Sequence, residues 1–103
     1  MLIRIGRDHA PHLEEPDNFR GFKLVIEAER AALPQLKAGF APAGRLESEV
    51  IAWVNEAWLR AQSPQRDDPA WQDGFRKMTD YARSKGWIDP QDGSIRAHVE
   101  WAD

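Results

Sequence analysis

Seven residues near the C-terminus, Ile95-Arg-Ala-His-Val-Glu-Trp101, alternate without interruption between apolar and polar side chains. A period of two places Ile95, Ala97, Val99 and Trp101 on one face of an extended chain and Arg96, His98 and Glu100 on the other. No helix segregates that pattern. The chain must therefore build at least part of a sheet with one covered face and one wet face.

Phe22-Lys-Leu-Val-Ile-Glu-Ala28 repeats the signal, with Phe22, Leu24, Ile26 and Ala28 opposite Lys23, Val25 and Glu27. A shorter strand is expected over Met1 to Ile5, with Ile3 and Ile5 on one face. Between these lies Arg7 to Asn18, polar and interrupted by Pro11 and Pro16, which reads as a long loop.

Helical signals occupy the middle. Pro34 and Gly39 bracket a single expected turn over Gln35 to Ala38, followed by a linker from Phe40 to Gly44. Leu46, Val50, Trp53, Val54, Ala57 and Ala61 share one face at about 100° per residue, which predicts a helix from Leu46 to Gln62. Asp68-Pro69 is an N-cap followed by proline at the first helical position. From there Trp71, Phe75, Met78 and Ala82 recur at helical spacing as far as Gly86, which suits a left-handed stop. Trp87-Ile88, the turn Asp89 to Gly93, and the alternating segment then read as a hairpin.

The predicted fold is thus α+β: a small antiparallel sheet of about three to four strands with two main helices packed on one face. A chain of 103 residues makes one domain. It has no cysteine, which excludes disulfides, thiolate catalysis and cysteine-based metal centres. The N-terminus lacks a signal-peptide h-region and no run is long enough to span a membrane, so a cytoplasmic location is expected.

The net charge of −3 comes from 14 basic and 17 acidic side chains mixed along the chain. That balance argues against nucleic acid, whose binding draws on a basic field. A winged helix, with Arg76, Lys77, Arg83 and Lys85 on the second helix, is the nucleic-acid alternative.

Two groups of residues could carry chemistry. Asp8, His9 and His12 in the first loop are candidate ligands for a divalent metal, although no cofactor is expected overall. On the outer sheet face, His98 with Glu100 and Glu27 could perform acid–base work, and Arg4, Lys23 and Arg96 could hold a ligand. No phosphate-binding glycine loop and no nucleophile elbow is present.

Ile51, Trp58 and Tyr81 lie at the margins of the predicted apolar stripes, which suggests a homodimer contact. The expected function is a dimeric interaction or small-ligand-binding module. A small enzyme using the His9/His12 loop and His98 is the alternative, with the winged helix third.

Overall fold

The computed structural model describes residues 1–102. Its elements run β1 (Leu2–Ile5), β2 (Pro11–Glu14), β3 (Lys23–Ile26), a 3₁₀ turn (Arg30–Ala32), α1 (Leu33–Phe40), β4 (Gly44–Leu46), β5 (Ile51–Val54), α2 (Glu56–Gln62), α3 (Pro69–Ser84) and β6 (Ile95–Trp101). The strands form one curled sheet in the order β2-β1-β3-β6-β5-β4. β1 pairs parallel with β3 and β3 parallel with β6, while the β1–β2, β5–β6 and β4–β5 pairs are antiparallel.

This corrects the expected small antiparallel sheet: the described residues form six strands, mixed in direction, with three α-helices. Most of the difference lies between Leu46 and Val54, where the sequence suggested helix. Leu46, Val50 and Val54 would share a face in a helix, but the chain reverses between them, so Leu46 and Val54 reach the core from two antiparallel strands while Val50 stands exposed on the turn. Val50, Ile51, Trp53 and Val54 are β-branched or aromatic and fit a pleated surface. Ser48 then folds the chain back, its hydroxyl accepting from the Val50 and Ile51 amides at 3.2 Å each. The real helix begins only after Asn55, whose side chain accepts from the Trp58 amide at 3.0 Å as an N-cap.

Three further segments differ from expectation. The expected loop Arg7 to Asn18 contains β2, an edge strand that opens on Pro11, where a missing N–H costs no ladder bond. The expected single turn at Gln35 to Ala38 is an eight-residue helix that takes in Phe40, and Phe40 and Ala43 of the expected linker are fully buried while Ala41 and Pro42 are exposed. The C-terminal hairpin shrinks to one bridge between Ile88 and Ile95, because β6 finds longer partners on either side in β3 and β5. The winged-helix order disappears with the helix at Leu46.

One core joins the layers. Ile3, Ile5, Leu24, Ile26, Ala52, Val54, Ile95 and Ala97 project from the inner sheet face. They meet Leu36 and Phe40 of α1, Leu59 of α2, and Trp71, Phe75 and Ala82 of α3. α3 matches its sequence signature closely: the Asp68 carboxylate accepts from the Ala70 amide at 3.0 Å, Pro69 follows, and Gly86 has a φ of +78°. Among the described residues, no helix is long and apolar enough to cross a membrane.

Candidate functional site

Alternation along β6 is observed as expected. Ile95 and Ala97 are buried, and Arg96, His98 and Glu100 point to the exposed side. The outer face carries a lattice of ion pairs. Arg4 donates to Glu14 at 2.9 Å and also reaches Glu27, and Lys23 meets Glu100 at 3.1 Å. His98 Nε2 lies 3.2 Å from the other Glu100 oxygen. Hydrogen bonds from His98 and from Lys23 hold the Glu100 carboxyl below its ordinary pKa.

The residues proposed for acid–base work are therefore split. His98 and Glu100 touch, whereas Glu27 belongs to Arg4. Arg4 and Lys23 are occupied by carboxylates, so of the three expected ligand-holding cations only Arg96 makes no ion pair among the described residues.

Asp8 and His12 come together, with His12 Nε2 2.7 Å from an Asp8 oxygen; that bond lowers the Asp8 pKa, with the Ala10 amide contributing. His9 has a left-handed φ of +58°. Among the described residues, no group of three His, Cys, Asp or Glu side chains is arranged to hold a metal ion. His12 is also far from β6: the register runs from His12 through Arg4 and Val25 to Glu100, three strand spacings or roughly 14 Å. The loop histidines and His98 do not form one site.

The three expected contact residues do not form one patch. Ile51 lies beside His98 on the outer face. Trp58 packs half-buried against the inner core. Tyr81 is 58% exposed and stands edge-on to Trp87 with ring centres 5.9 Å apart.

Tyr81 instead marks a cleft. β3 begins at Lys23, opposite His98, so β6 from Ile95 to Ala97 has no β3 neighbour. The chain before β3 turns away through Gly21, at a φ of +64°. On the β6 side, the Arg96 amide donates to the Trp87 carbonyl at 2.8 Å. Between these diverging walls and the second half of α3 opens a cavity of about 950 Å³.

Phe22, Met78, Tyr81, Trp87 and Ile95 supply its apolar lining, and Phe19 closes one end against Gly74. Its polar margin consists of Arg20, Lys77, Arg96 and His98, with no Asp or Glu among the described residues. The Phe19 ring stands with its centre 6.1 Å from that of Trp71, whose indole N–H donates to the Pro16 carbonyl at 2.7 Å.

Arg96, His98 and Tyr81 were singled out in the sequence for other roles, and the fold gathers all three here. Lys77 was named only for the winged-helix alternative, and Arg20, Phe22 and Trp87 were missed as site residues. The available signals were weak: a cation beside Gly21, and two aromatics six residues apart across the helix stop at Gly86. No protein-family model significantly matches the chain, and neither does any curated protein or solved structure.

Proposed function

We propose that the protein is a small-ligand-binding module and that the cleft between α3, residues 19–22 and the start of β6 is its binding site. What carries this reading is apolar surface left uncovered within a concavity. Of the three large hydrophobic side chains that stand exposed, Val50, Tyr81 and Trp87, two line the cleft. A soluble chain gains nothing from presenting aromatic rings to water, and a concave apolar surface of this volume is typical of small-molecule sites. The walls are set by the core, since Ala82 and Ile95 at the base are nearly fully buried. The site is therefore largely preformed.

The neutral fluorophore N-phenyl-1-naphthylamine tests this. It should bind saturably at one molecule per chain with enhanced emission. Met78→Trp, which fills the cleft from a half-buried wall position, should weaken it about tenfold or more; each factor of ten corresponds to about 1.4 kcal/mol. Val50→Trp, on the exposed β4–β5 turn, should leave it unchanged. Absence of saturable binding, or equal effects of the two variants, would refute the assignment.

A further inference from the structure

We infer that the ligand of this cleft is a small organic anion: an apolar body carrying one carboxylate, sulfonate or phosphate group, with the head group held by Arg20 and Arg96. This assignment rests on the cleft being a ligand site and adds the chemistry of what enters it.

The inference starts from a contrast in charge. The chain is acidic, with 17 carboxylate side chains against 14 cations. Six of its ten arginines, Arg4, Arg30, Arg45, Arg60, Arg76 and Arg83, each lie against a carboxylate, and among the described residues Arg7, Arg20, Arg66 and Arg96 do not. Two of those four, Arg20 and Arg96, line the cleft, and no Asp or Glu among the described residues lines it.

Of its four polar margin residues, two already have a carboxylate partner. Lys77 Nζ is 3.1 Å from Asp73, and the His98 ring nitrogen is 3.2 Å from Glu100. Arg20 and Arg96 have no carboxylate partner among the described residues. They approach from separate elements, Arg20 from the segment before β3 and Arg96 from β6. They face a cavity whose remaining lining is aromatic and aliphatic.

Guanidinium groups pair with planar anions through two parallel N–H donors, and they lose less hydration on doing so than an ammonium does. Apolar walls and unpaired guanidinium groups at the margin together complement a molecule that is hydrophobic over most of its surface and anionic at one end. A purely neutral ligand would leave both arginines in water. A small inorganic anion would leave the aromatic walls uncovered.

The probe pair is 1-anilinonaphthalene-8-sulfonate and N-phenyl-1-naphthylamine, which share one ring system and differ by the sulfonate. At low salt the sulfonate should bind about tenfold more tightly or better, as a charge-assisted hydrogen bond supplies. That preference should shrink as ionic strength rises. In the double variant Arg20→Gln/Arg96→Gln the preference should vanish while the neutral probe binds as before and the melting temperature holds.

Arg83→Gln, which removes a charge from α3 outside the cleft, should preserve the preference. Equal affinity for the two probes would overturn the anion assignment and leave the ligand site standing; no binding of either would remove both. A preference that survives the double variant, or is lost equally in Arg83→Gln, would show that general electrostatics and not these two arginines select the anion.

Discussion

Gly39 shows how one residue's role changes between sequence and structure. Beside Pro34 it reads as a helix stop, but α1 continues through it to Phe40. The reason for glycine is proximity: a Cβ there would lie 2.0 Å from the His9 carbonyl oxygen, in a loop whose own left-handed turn fixes that carbonyl. Gly74 in α3 is tight as well, but its neighbour is the Phe19 ring at 2.3 Å, a side chain able to rotate. Alanine gains about 1 kcal/mol of helix propensity over glycine in a helix interior. At position 39 the clash is with backbone and outweighs it. Gly39→Ala should therefore lose about 1–3 kcal/mol, the usual range for overpacking, seen as a fall in the urea midpoint. Gly74→Ala should change stability less and shift the cleft wall instead. A Gly39→Ala protein as stable as wild type would mean that the α1–loop contact is looser than described.

At the scale of elements, α3 and the segment Leu46 to Gln62 form an instructive pair. Both carry apolar residues at helical spacing, yet only α3 is a continuous helix. Its ends carry the chemistry of helix ends, with Asp68-Pro69 before and Gly86 after, and the side chains inside that bond its backbone, Thr79 and Ser84, donate to carbonyls three residues back without interrupting it. In the other segment Ser48 and Asn55 have short polar side chains that bond neighbouring amides, and each begins something new: a turn and a second helix. The Asp68 cap is directly measurable. Asp68→Ala leaves the Ala70 amide without its carboxylate acceptor and should cost about 0.5–2 kcal/mol. For a domain of this size that is a drop of several degrees, at about 4–8 °C per kcal/mol. An unchanged melting curve would show that water replaces the cap without loss.

At the scale of the whole molecule, β6 joins two half-sheets. β2-β1-β3 and β5-β4 meet only through it, parallel on one side and antiparallel on the other. The Glu100 contacts to Lys23 and His98 brace the parallel side from the solvent face. The Glu100 carboxyl is held below its ordinary pKa, so the native state binds its proton less readily than the unfolded chain does. Its contribution is therefore complete above the unfolded value, near 4.3, and is lost as pH falls through the lower folded value. Glu100→Gln should melt below wild type at pH 7, and the two curves should converge in acid. If the gap is the same at pH 3 as at pH 7, the carboxylate does not brace the sheet.

The sequence by itself determined the alternation of β6, the extent and caps of α3, and the exposure of His98. Each depends only on residues close together in the chain, whose bonding to their neighbours is the same whatever surrounds them. Tertiary structure decided the rest. Whether Leu46 to Val54 is a helix or two paired strands depended on β6 being available as a partner for β5, because the apolar residues there can be buried either way. The strand directions depended on where β6 inserted. The cleft exists because β3 starts too late to cover the first residues of β6, and that offset is a relation between segments more than seventy positions apart. No local pattern encodes it, so residues as distant as Arg20, Tyr81, Trp87 and Arg96 became one site only when the chain closed around its core.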